Sequence, residues 1–141
     1  MHYVISFESK QFDFGTEEEN PINPIKGQSV GDWMFNLLKT DTEELSQVDA
    51  EDWGWYSIAT YKGNKYLIGY IGLPSETNDE ASEIMIQVKK YRSFFESILG
   101  KNKLTKNDPF ISIVEKHVKS IKDIANFEVV ENAIQIVSAG Q

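Results

Sequence analysis

A chain of 141 residues, 40% hydrophobic and 26% charged, is long enough to bury a core without covalent staples and too apolar for a disordered segment. It has no cysteine, which excludes disulfides, thiolate metal centres and cysteine nucleophiles and suits a reducing compartment. The net charge of −8 disfavours nucleic acid as the main partner and favours a basic protein.

That charge is uneven. Residues 1–83 hold 16 acidic side chains against 5 basic, and residues 84–141 hold 6 against 9. The first seven residues lack the basic flank and apolar run of a leader, and no stretch approaches the ~18 consecutive apolar residues of a membrane helix. The expectation is a cytoplasmic protein with no membrane partner.

Residues 3–7 alternate β-branched and aromatic with polar side chains and are predicted as a strand, resuming at 11–14. Residues 15–26 read as a loop, because Glu17-Glu18-Glu19 and two Asn-Pro pairs oppose regular structure. A helix is predicted from Ser29, with its hydroxyl as cap and Asp32 complementing the dipole. Its apolar face carries Val30, Trp33, Met34, Leu37 and Leu38.

Residues 55–62 and 65–73 read as antiparallel strands joined by Gly63-Asn64. That register sets Tyr61 against Tyr66, Ala59 against Ile68 and Ser57 against Tyr70, with Tyr56, Ile58, Leu67 and Ile71 on the other face. Both faces are apolar enough for an interior place in a sheet with one side under helices. An aromatic face left uncovered is a candidate binding surface. Trp53 and Trp55 should point to opposite sides.

Residues 83–91 give the next strand, after an acidic loop. A short helix at 93–99 carrying Phe94, Phe95, Ile98 and Leu99 stops at Gly100, and the two phenylalanines, at helical spacing, read as core. Asp108 and Pro109 signal a second helix with an inner face of Phe110, Ile113, Val114, Val118, Ile121 and Ile124. A last strand is predicted at 127–131, extending toward Val137. The order βα-βββ-αα-β describes a single α+β domain over 1–141, a mainly antiparallel sheet with helices on one face.

The densest carboxylates are Asp49, Glu51 and Asp52, with Glu43 and Glu44 nearby. They read as a solvated acidic loop, since adjacency in a chain does not supply the convergence a metal or a paired-carboxylate hydrolase needs. His117 reads as a helix-edge histidine satisfied by a neighbour, with a general base beside Asp52 or Glu115 as the sharper option. Gly69 and Gly72 mark a bulge or close packing. Lys89, Lys90, Arg92, Lys101, Lys103 and Lys106 read as a solvated basic edge.

Asn23-Pro24-Ile25 before a capped helix with Trp33, then Glu51-Asp52-Trp53-Gly54-Trp55-Tyr56, the Tyr66-Leu67-Ile68-Gly69 strand and Ser97-Ile98-Leu99-Gly100 give a chain that resembles a group of small uncharacterised bacterial proteins. The likeness covers most of the chain, and its specific part is Asp-Trp-Gly-Trp. In size and acidity the group is similar to immunity proteins that neutralise toxins, an analogy of class.

The functional expectation is a non-enzymatic binding protein, most concretely an immunity protein covering a basic toxin domain. Its contacts would be Glu43, Glu44, Asp49, Glu51, Asp52 and the exposed members of Tyr61, Tyr66 and Tyr70. No catalytic residue, metal ligand or cofactor is expected. The rival readings are a carboxylate-dependent or metal-assisted hydrolase using Asp49, Glu51, Asp52 and His117, and a structural or accessory subunit forming a homodimer.

Overall fold

The computed structural model describes residues 2–77 and 80–131. A seven-stranded antiparallel sheet carries two helices on one face, an α+β architecture as expected. The strands are β1 (Tyr3–Ser9), β2 (Glu44–Leu45), β3 (Asp49–Glu51), β4 (Gly54–Tyr61), β5 (Asn64–Leu73), β6 (Ser82–Lys90) and β7 (Ala125–Glu131). The helices are α1 (Gln28–Leu38), α2 (Phe94–Leu99) and α3 (Pro109–Lys119), and a 3-10 turn spans Phe14–Thr16. The spatial order is β2-β4-β5-β6-β1-β7, with β3 following β2 along the same edge of β4.

Strand alternation separates the faces. Tyr3, Ile5 and Phe7 of β1, Trp55 and Ala59 of β4, Tyr66, Ile68 and Tyr70 of β5, and Ile84, Ile86 and Val88 of β6 join one core with α1 and α3. Val30, Met34 and Leu38 supply the α1 side, and Phe110, Ile111, Val114 and Val118 the α3 side. The opposite face carries Tyr56, Ile58, Leu67 and Ile71, and among the described residues no helix packs over it.

Several sequence expectations need correction. The hairpin turn is Lys62-Gly63, both at positive φ (48° and 78°), as a two-residue loop matched to strand twist demands. Tyr61 therefore pairs with Asn64, Ala59 with Tyr66 and Ser57 with Ile68. This slip of two residues preserves every side chain's face. Residues 11–14 form no strand; Phe14 instead turns inward and lies over Gly72, which has no side chain in the way.

Ser29 does not cap α1. The helix starts one residue earlier, and Glu17 reaches across from the preceding loop to accept from the Gly27 and Ser29 amides at 3.0 and 2.8 Å and from the Ser29 hydroxyl. Asp32 thus falls beyond the first turn, where Glu17 already satisfies the dipole. Burial, then the charges of Glu17 and Glu18, push its carboxyl up from the ordinary value.

The expectation that α2 belongs to the core is also overturned: it buries none of its residues. Asp108 and Pro109 do open α3, with the Asp108 carboxylate accepting from the Phe110 amide at 2.9 Å. The final strand begins at Ala125 and pairs with β1, and its expected extension toward Val137 lies outside the described residues. No helix among the described residues is long and apolar enough to cross a membrane.

Candidate protein-binding face

The Glu51-Asp52-Trp53-Gly54 turn is braced from the loop before α1. The Asn20 amide donates to the carbonyls of Glu51 and Gly54 at 3.0 and 2.9 Å, while its oxygen accepts from the Ile22 and Asn23 amides. Asn23 donates to the Asp52 carbonyl at 2.8 Å, and the Trp55 indole to the Ile25 carbonyl at 2.9 Å. The Asn-Pro pairs that break regular structure thus let two asparagine side chains serve as backbone partners for the turn.

Trp55 enters the core and Trp53 goes to the other side, as expected. The Trp53 ring lies across Gly69 so closely that a β-carbon there would sit 2.7 Å from it. Its ring centre is 6.4 Å from that of Tyr56. Together with Ile58 and Leu67 these rings form a half-exposed aromatic and aliphatic platform on the open sheet face.

The acids border this platform along one sheet edge. Asp49 pairs with Tyr56 and Glu51 with Gly54, so both share the open face; Glu44 pairs with Thr60 on the same side. Glu43 accepts from the Gly63 amide at 3.2 Å beyond the end of that edge. The rows of Glu44 and Asp49 are four β4 residues apart, about 13 Å at strand rise. Glu44, Asp49 and Glu51 are therefore on two short strands and Asp52 in a tight turn, not in the expected loop, while Glu43 precedes the first of these strands. They line an edge without converging on a point.

The tyrosines expected beside them are elsewhere. Tyr66 and Tyr70 are 2% and 0% exposed, under the helices, and cannot touch a partner. Tyr70 shares a 2.9 Å hydrogen bond with Ser57, and Tyr66 donates to Asp108. Burial first, then the Asp108 bond and charge, holds the Tyr66 phenol above its ordinary range, and burial does the same for Tyr70. Tyr61 is half-buried on the helix side, 5.7 Å from the Phe110 ring. Sequence reasoning chose the wrong phase of the hairpin: Tyr56, Ile58 and Leu67 alternate with the chosen set, and Trp53 precedes them.

His117 is satisfied by a carboxylate, as its bland reading held, but the partner is Asp41, 3.2 Å from Nε2, rather than Asp52 or Glu115. It belongs to α3, across the sheet from Asp49 and Glu51. Among the described residues no three His, Asp or Glu side chains are grouped to hold a metal ion. A depression of about 570 Å³ lies between residues 10–15, Lys26 and the side chains of Pro74, Ser75, Thr77, Glu80 and Ser82, and none of the candidate acids lines it.

A buried ion pair went unforeseen. Lys90 Nζ lies 3.2 Å from Asp108, both nearly enclosed, and the same carboxylate accepts from Tyr66. The Asp-Pro helix start was visible in the sequence; the cap's second role needs the fold. Compared with protein-family models, with curated proteins and with solved structures, the chain matches none.

Proposed function

We propose that this protein is a non-enzymatic binding domain that engages a basic protein through the open sheet face, an immunity protein against a basic toxin domain being its most concrete form. The observation that carries this reading is the placement of Asp49, Glu51 and Glu44 along the rim of the Trp53–Tyr56 platform. Acids at a rim accelerate encounter with a cationic partner, while desolvated aromatic rings supply the affinity. The braced turn lowers the ordering cost, since the carbonyls of Glu51, Asp52 and Gly54 on either side of Trp53 are held by Asn20 and Asn23 before any partner arrives.

The hydrolase alternative loses support from the same geometry, which lays its acids along an edge and sets His117 on the other side of the sheet. Photo-crosslinking tests the binding reading. A photoreactive phenylalanine replacing Tyr56 is expected to capture a basic protein in native cells, and the same probe replacing Ser112, exposed on α3, is not. Equal capture at both positions, or none at Tyr56, would sink it.

A further inference from the structure

Helix α2 is built to stand on its own. Ser93 and Glu96 form a reciprocal capping box, and Gly100 closes the other end in the left-handed conformation, its amide donating to the last turn. These caps hold a helix of six residues that contributes nothing to the core. Its four large apolar side chains, Phe94, Phe95, Ile98 and Leu99, are 62–73% exposed. At 100° per residue they span an arc of about 140°, with Glu96 and Ser97 opposite.

The surroundings are cationic. Arg92 precedes the helix and donates to the Lys101 carbonyl at 3.2 Å, and the Lys103 stem lies beside Gly100. Asn102 donates to Asn64 at 3.0 Å, and the Tyr91 amide to the Lys65 carbonyl at 2.9 Å, which brings Lys62 and Lys65 of the hairpin end to the same side. Five cations, Arg92, Lys101, Lys103, Lys62 and Lys65, thus lie on the side of the patch; none is in an ion pair among the described residues. Of the carboxylates nearby, Glu96 is engaged in its capping box and Glu43 on the Gly63 amide, while the exposed Glu44 pairs with Thr60 in the row of Lys65 and offsets part of the hairpin end's charge. Asp49 pairs with Tyr56 and Glu51 with Gly54, five and seven β4 residues from the hairpin end at Tyr61, about 16 and 23 Å and so two to three Debye lengths at physiological salt.

We propose that α2 and its basic collar dock on an anionic membrane surface, with Phe94, Phe95, Ile98 and Leu99 inserted at the headgroup boundary and the cations on lipid phosphates. Interfacial binding needs a projecting apolar face and flanking positive charge, and it needs no complementary pocket. A second copy of the chain fits poorly: six residues fall far short of the roughly 20–30 per partner of a stable interface, and two facing collars would repel. A helix-binding protein groove reads anchors out to the i+7 position, and α2 ends before one exists.

The test is co-sedimentation with phosphatidylcholine vesicles, with or without one third phosphatidylglycerol, for the wild type, Phe94→Ser/Phe95→Ser and Lys101→Glu/Lys103→Glu. Near-ultraviolet circular dichroism checks that both variants keep the fold, which α2 does not support. The wild type is expected to bind only the anionic vesicles, each variant to lose about tenfold or more, and half-molar salt to weaken binding. The proposal is overturned if the wild type ignores anionic vesicles, if it binds neutral ones equally, or if the phenylalanine variant binds as well as the wild type. An acidic protein retained through α2 in place of lipid would also overturn it.

Discussion

The Tyr66 hydroxyl lies 2.9 and 3.0 Å from the two carboxylate oxygens of Asp108 and ties the middle of the sheet to the first turn of α3. The same carboxylate caps the Phe110 amide and pairs with Lys90, so one buried anion is satisfied by a phenol, an amide and an ammonium. Tyr66→Phe keeps the ring stacked on Phe110 at 4.4 Å and removes one bond. It is expected to cost ~1–3 kcal/mol. Lys90→Met leaves the anion without its counter-charge and should cost more, ~3–5 kcal/mol. Urea denaturation reads both, and a Lys90→Met loss no larger than that of Tyr66→Phe would show that the pair is not a closed buried unit.

Glu17 and Asp32 make opposite contributions to α1. Glu17→Gln weakens the charged cap and should destabilise by about 1 kcal/mol. Asp32→Asn should stabilise at neutral pH, by no more than a few tenths of a kcal/mol given its exposure. The sign follows from the raised carboxyl: ionised Asp32 is disfavoured in the folded state above its ordinary range, and that cost disappears at lower pH, where it is protonated in both states. A gain that persists undiminished near pH ~3 would refute the electrostatic origin.

Asp123 has the reverse behaviour. Its carboxylate accepts from the Lys10 amide and the Ser9 hydroxyl, both at 2.7 Å, and these bonds, the amide's first, hold it below the ordinary carboxylate range. Its contribution is present above the unfolded value and lost as pH falls through the folded one. The stability gap between wild type and Asp123→Asn should therefore be constant from neutral pH to about 5 and shrink in more acid solution. Chemical denaturation across that range measures it, and a gap that widens in acid would contradict the assignment.

The two tryptophans of the Asp-Trp-Gly-Trp segment should separate stability from binding. Trp55 is 4% exposed within the core, and Trp55→Ala is expected to cost ~3–5 kcal/mol. Trp53→Ala removes a ring from the open face and should melt closer to the wild type while losing the partner. Equal melting losses would make the whole segment structural.

The α+β class and sheet direction were legible because β-branched alternation, the Asp108-Pro109 start and the Gly100 stop are local signals. The strands of Glu44–Leu45 and Asp49–Glu51 were not, because two or three polar residues carry no periodicity and are strands only by pairing with β4. That the acids lie close together in the chain was readable, their place along a strand edge was not, and neither was the burial of Tyr66 and Tyr70. Tyr66 and Tyr56 differ in which side the helices cover, a fact of packing that the alternation leaves open. Helix α2 misled for a related reason: apolar spacing identifies an amphipathic helix but not what its apolar side meets.

The central claim is that the acid-rimmed face of Trp53 and Tyr56 binds a basic protein. The most direct measurement is affinity capture from native cell extract by the wild type, Glu51→Lys/Asp52→Lys, Trp53→Ala and the folded control Lys116→Ala, followed by titration of the captured protein against each. The expected result is a basic protein held by the wild type and the control and weakened about tenfold or more by both face variants. A captured protein bound equally by all four, or one that is acidic, would contradict the account.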